Sequence, residues 1–161
     1  IYKAINIASA GGMGEKSEFD LKKSKKINFT FYEAMKYASS YDYIAFQYST
    51  YFDNIINNLA PCWRKYFKKM NSDENATTAL FMEFISNNPD SLIARKHGVD
   101  NAIEVSDKFV DLSKEYNDSE NPNKLNNKLL LLYSELKIQG LNPGTTADVV
   151  VASIFLNRLG L

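Results

Sequence analysis

Apolar residues recur along this chain at intervals of three and four, the spacing of one helical face. The first stripe is Ile1, Ala4, Ile5 and Ala8, and it stops at Gly11-Gly12. Glycine enters left-handed backbone at least cost and so ends helices. Thr30 is placed to cap a helix carrying Phe31, Ala34, Met35 and Ala38. Asp42 is placed to cap a longer one, with Ile44, Tyr48, Tyr51, Ile55 and Leu59 on one face. That spacing predicts an unbroken helix to Leu59 and puts Tyr48, Tyr51 and Phe52 against the core. Pro61 suits the first turn of a helix over residues 62–70. Within 74–87, Leu80 pairs with Phe84 and Phe81 with Ile85 at four-residue spacing. Asp90 can cap a short helix that ends at Gly98, and Val99, Ala102, Ile103, Ser106, Phe109 and Val110 form the next stripe. Residues 116–124 are polar and read as a loop, after which Leu125, Leu129, Leu132 and Leu136 form a stripe before Gly140. Val149 to Leu156 is apolar except for Ser153. Periodicity does not separate strand from helix there, and the cap signals before it predict a helix. The pattern as a whole predicts a single compact all-α domain of about eight helices.

Charge and composition narrow the function classes. The 161 residues carry 19 Lys+Arg and 19 Asp+Glu, a net charge of zero. A broad electrostatic grip on nucleic acid or acidic lipid is therefore not expected. A hydrophobic content of 45% is too high for a wholly disordered chain. One cysteine, Cys62, and one histidine, His97, rule out an internal disulfide framework and a Cys- or His-rich metal site. Cys62 has no histidine near it and reads as a buried, inert thiol. No apolar run approaches the ~20 residues of a membrane span. The chain opens Ile1-Tyr2-Lys3, without Met or a secretion-signal pattern. It reads as part of a longer protein.

Three segments carry chemistry-bearing residues, and each has a structural and a functional reading. In Asn142-Pro143-Gly144-Thr145-Thr146-Ala147-Asp148, Thr145-x-x-Asp148 before an apolar run has the pattern of a capping box. The same helix start presents amides and a positive dipole end to an anion. Asp148 there can hold a metal ion or take a proton. In Asp90-Ser91-Leu92-Ile93-Ala94-Arg95-Lys96-His97-Gly98, the acid at one end and the bases at the other complement the helix dipole. Arg95, Lys96 and His97 together can also hold a triphosphate. In Ala10-Gly11-Gly12-Met13-Gly14, three glycines in four residues exceed what a helix stop requires. They let backbone amides approach a phosphate.

The stretch Gly140 to Asp148, followed by an apolar helix, resembles the triphosphoribosyl-dephospho-coenzyme A synthase family. Ile7 to Gly14 is similar to that family's helix-then-glycine segment, and Asp42-Tyr43-Ile44-Ala45-Phe46-Gln47-Tyr48 to its central segment. Asp90 to Gly98 is similar to the form found in archaeal members. The resemblance is to the C-terminal part of family members, with an upstream part missing. It implies an all-helical, cytoplasmic transferase with ATP and a nucleotide-type acceptor as substrates, Mg²⁺ as cofactor, and neither nucleic acid nor membrane as partner. A homo-oligomer stays open. In this family the ribose 2′-hydroxyl of 3′-dephospho-coenzyme A attacks the anomeric carbon of ATP, and adenine leaves. Carried onto this sequence, Asp148 and Asp90 are the candidate bases and Asp148 the metal ligand. His97 is the candidate proton donor to adenine. Gly11, Gly12, Gly14, Arg95, Lys96, Asn142, Gly144, Thr145 and Thr146 are candidates for binding substrate. The competing expectation is a non-catalytic helical module that binds a nucleotide or a partner.

Overall fold

The computed structural model describes residues 29–160. Among them lie eight α-helices and no strand, as the periodicity predicts. In chain order they are α1 (Phe31–Ala38), α2 (Tyr43–Ser49), α3 (Ala60–Met70), α4 (Asp73–Asn87), α5 (Ser91–His97), α6 (Val99–Asp118), α7 (Asn126–Ile138) and α8 (Gly144–Leu159). A π-helical segment, Ile55–Leu59, leads into α3, and a 3-10 turn, Pro122–Leu125, precedes α7. The stripe at Ile1–Ala8 and the glycines Gly11, Gly12 and Gly14 lie outside the described residues.

Local chemistry fixes the helix starts. Thr30 accepts from Glu33 N–H while the Glu33 carboxylate accepts from Thr30 N–H at 2.7 Å, a full capping box. The Thr30 backbone donor holds the Glu33 carboxyl below its ordinary range. Asp42 caps α2 through Ile44 and Ala45 N–H, Ser72 caps α4 through Asn75 N–H, and Pro61 occupies the first turn of α3.

Helix α4 is the central element, packed along α3, α6 and α8. It buries Ala76, Ala79, Leu80, Met82, Phe84 and Ile85. A helix apolar on most of its circumference belongs inside. One side meets Ile93 of α5 and Ala102, Val105 and Phe109 of α6. Another meets Trp63 and Val150, and a third meets Ile55 and Val149.

Three expectations are corrected. The helix predicted from Asp42 to Leu59 breaks after Ser49. Phe52 N–H folds back onto Gln47 C=O at 2.7 Å, and Tyr51 and Phe52 take φ of 55° and 61°. Tyr48, before the break, and Tyr51 and Phe52, within it, are exposed instead of packed on the core, with Tyr51 74% exposed. They pair with α1 and each other: Phe31 meets Tyr48, Tyr32 stacks on Tyr51, and Tyr48 meets Phe52. Ring pairing at the surface has the same spacing in sequence as core packing, so periodicity alone does not distinguish them. Second, α6 runs through part of the expected 116–124 loop, because Tyr116 is buried and donates from its hydroxyl to Asn75 Oδ1 at 3.0 Å. Third, Val99 and Ile103 are exposed, and the buried stripe of α6 runs through Ala102, Val105, Ser106 and Phe109.

Candidate functional site

Three segments remote in sequence meet at the start of α8. Asp90, 2% exposed, is the pin. Its Oδ1 accepts from Leu92 N–H at 2.9 Å and Ile93 N–H at 3.1 Å, capping α5. Its Oδ2 accepts from Thr146 N–H at 2.7 Å and Thr146 Oγ1–H at 2.9 Å. One carboxylate thus closes two helix N-termini, where dipoles and free amides favour negative charge. Ser91 extends the joint: its Oγ accepts from Tyr43 N–H at 3.1 Å and shares a hydrogen bond with Thr145 Oγ1 at 3.0 Å. Arg95 Nη1 lies 3.2 Å from Asp42 Oδ2, tying α5 to the cap of α2.

This geometry revises several roles expected from sequence. The capping box of Thr145 and Asp148 does not form: α8 begins at Gly144 with no cap from its own side chains, and Asp90 serves instead. Both oxygens of Asp90, the second candidate base, already hold two donors each. Thr145 and Thr146 are buried and turn their hydroxyls to Ser91 and Asp90 rather than outward. A Cβ at Gly144 would come within 2.7 Å of Leu92 Cδ2, a side-chain methyl of α5 that would have to shift to admit it. Asp148 is exposed on α8, and Asn142 is exposed in the turn before it. Lys96 and His97 are exposed at the far end of α5, about 10 Å along the helix from its cap.

Two residues gain weight from the fold. Ser91 carried no sequence signal, because its partners are 48 and 54 residues away. Gln47, an unremarkable polar position in the sequence, is 1% exposed, and neither amide atom makes a well-formed hydrogen bond among the described residues, the Tyr43 hydroxyl being a polar group near it. Buried amides are almost always paired.

A cavity of about 730 Å³ opens beside the turn that leads into α8, between α4, α6 and α7. Phe81, Met82, Phe109, Leu129 and Leu136 line its wall, and Asn142 and Pro143 belong to its edge. On the other face of α4, Cys62 is half-buried with Sγ 3.7 Å from Glu83 Oε2. Burial, then the Glu83 charge, push its thiol up to about 11. The same carboxylate accepts from the Tyr66 hydroxyl.

No group of three or more His, Cys, Asp or Glu is gathered among the described residues. A Mg²⁺ ion carried on a triphosphate needs only one or two protein carboxylates, a demand that exposed Asp148 fits. No helix among the described residues is long and apolar enough to cross a membrane.

The described residues form an all-helical domain in which three chemistry-bearing segments meet at one helix start. The family model that matches is CitG, ATP:dephospho-CoA triphosphoribosyl transferase, over residues 1–161. The chain belongs to this family, and its activity is transfer of a triphosphoribosyl group with ATP and dephospho-CoA as substrates. Searches of curated proteins and of solved structures returned no significant match.

Proposed function

We propose that the start of α8, joined to α5, is where this chain handles the reacting ends of both substrates. The observation that carries the reading is the convergence itself. The segments at Asp42–Tyr48, Asp90–Gly98 and Asn142–Asp148 are held together by the Asp90–Thr146, Ser91–Thr145 and Arg95–Asp42 contacts.

In the reaction, the bond from the ribose anomeric carbon of ATP to adenine breaks and a bond to the 2′-oxygen of dephospho-CoA forms. Asp148, exposed and uncommitted to a cap, takes the proton from the attacking hydroxyl. Adenine leaves with the electron pair of the broken bond and gains a proton from His97. Positive charge builds on the ribose in the transition state, and a carboxylate near the ring stabilises it. Lys96 supplies positive charge to the triphosphate, and Asn142 an amide. Asp148 is the residue that would hold Mg²⁺, which would supply further charge neutralisation to the triphosphate. Asp90, Ser91, Thr145 and Thr146 position the helices that carry these groups. Arg95, tied to Asp42, sets the angle of α5 and with it the direction of Lys96 and His97. The use of ATP as a substrate supports a cytoplasmic setting for the reaction.

The test incubates the protein with ATP, dephospho-CoA and Mg²⁺, with free adenine followed by chromatography and the conjugate by mass spectrometry. Both products are expected in equal amounts. A folded sample that yields neither ends the reading. Asp148→Asn is expected to lower turnover by about 100-fold or more, the usual worth of a general base.

A further inference from the structure

We infer that the 730 Å³ cavity between α4, α6 and α7 receives the pantetheine arm of dephospho-CoA. The inference rests on the transferase reading for the identity of the acceptor, and on the structure for the place.

The volume is that of a small-molecule site, about 300–1,000 Å³. The wall is largely apolar, from Phe81, Met82, Phe109, Leu129 and Leu136. Thr77 and Thr78 of α4 add hydroxyls, and Tyr133 of α7 stands exposed at the rim. The pantetheine arm matches this mixture: a chain with a geminal dimethyl group, two amides and a thiol. Its apolar carbons gain from burial, and its amides need a few polar partners.

Charge selects the arm over other parts of the substrates. Lys137 is the one charged residue among the described lining residues. It is exposed, and its Nζ lies 5.8 Å from the centroid of the Tyr133 ring. A mostly apolar space with one cation at its mouth fits a ligand that is apolar along its length and anionic at one end. The arm of dephospho-CoA ends in such a group, the pyrophosphate that joins it to adenosine. A triphosphate inside the cavity would bring several charges against a hydrocarbon wall. The cavity's edge at Asn142 and Pro143 is continuous with the start of α8. An arm lying in it leaves the adenosine end of the acceptor on the side where Asp148 is exposed.

The probe is 4′-phosphopantetheine, which has the arm and one phosphate but no adenosine. Calorimetry on the unaltered chain is expected to show saturable binding that dephospho-CoA displaces and ATP does not. In Tyr133→Trp the new indole sits at the rim, and the chain's single native tryptophan, Trp63, is buried. Its emission is expected to shift with 4′-phosphopantetheine and not with ATP. Lys137→Ala is expected to weaken the probe about tenfold, the worth of one charge-assisted contact. Absence of binding to the unaltered chain, or displacement by ATP as effective as by dephospho-CoA, overturns the inference. The two readings separate cleanly. Adenine release without 4′-phosphopantetheine binding sinks the cavity assignment and leaves the transferase standing. Binding of the probe without adenine release does the reverse.

Discussion

At the scale of single residues, Asp90 concentrates the most consequence. A buried carboxylate with four donors satisfies amides of two helices at once, and its removal leaves those donors inside without water. Asp90→Ala is expected to cost about 3 kcal/mol, at the upper end for caps and charged hydrogen bonds. Urea denaturation measures it, and a loss below about 1 kcal/mol, the worth of a lone cap, contradicts the double-cap account. Gln47 presents the opposite case. Its amide is buried without a well-formed hydrogen bond among the described residues, so Gln47→Met, similar in volume and without polar demand, is expected to raise stability by about 1 kcal/mol. Cys62 is chemically quiet for a stated reason. With its thiol raised from 9.0 to about 11 by burial and Glu83, it is protonated throughout the neutral range. At pH 8 its reaction with a disulfide reagent is expected to be about 100-fold slower than that of an ordinary exposed thiol. The raised value also fixes a sign: the thiol's contribution to stability is present below pH 9 and is lost as pH rises through about 11.

At the scale of elements, the break between α2 and the π-helical segment is the feature that periodicity missed. The step-of-four spacing continues through it, yet two consecutive side-chain-bearing residues adopt left-handed backbone. Such residues cost roughly 1–2 kcal/mol each relative to right-handed backbone. Tyr51 is mostly exposed, so its removal sacrifices little beyond its stack on Tyr32. Tyr51→Gly is therefore expected to stabilise by about 0.5–1 kcal/mol. A loss of stability in thermal melts would mean that the Tyr32–Tyr51 stack outweighs the backbone term. Helix α5 shows how a seven-residue element is held in place: capped by Asp90 at one end, tied to α2 by Arg95, and stopped at Gly98 with φ 97°. An isolated helix so short would not form in water. Tertiary contacts hold it, and those same contacts aim its basic end.

At the scale of the whole molecule, the proposed mechanism separates stability from chemistry along the α5–α8 joint. The inward groups, Asp90, Ser91, Thr145 and Thr146, hold the helices together. The outward ones, Asp148, Asn142, Lys96 and His97, are exposed, and the proposed mechanism gives them the contacts with substrate. Paired variants test the division. Asp148→Asn is expected to abolish most turnover with stability changed by less than about 0.5 kcal/mol, as for an ordinary surface substitution. Thr146→Val is expected to lower stability by about 1–2 kcal/mol, because it removes a hydroxyl donor to a buried carboxylate. Its effect on turnover should follow the folded fraction. Adenine release and urea titration on the same samples distinguish the two classes.

The sequence by itself determined the helices and most of their starts, because caps and stripes are local: Thr30, Asp42 and Asp90 each close a turn within three residues of themselves. It also marked the segments at Asp42–Tyr48, Asp90–Gly98 and Asn142–Asp148, through their residue types and their order, and the fold joins them. What it left open is which hydroxyl meets which carboxylate, since Ser91 and Thr145, or Asp90 and Thr146, are joined across more than fifty positions. Thr145 followed by Asp148 has the spacing of a cap, and only packing α5 against α8 replaced that cap with a carboxylate from elsewhere. The cavity belongs to the same class of fact. Its wall draws on three helices whose stripes each look like ordinary core, and the gap between them exists only once α7 is set against α4 and α6.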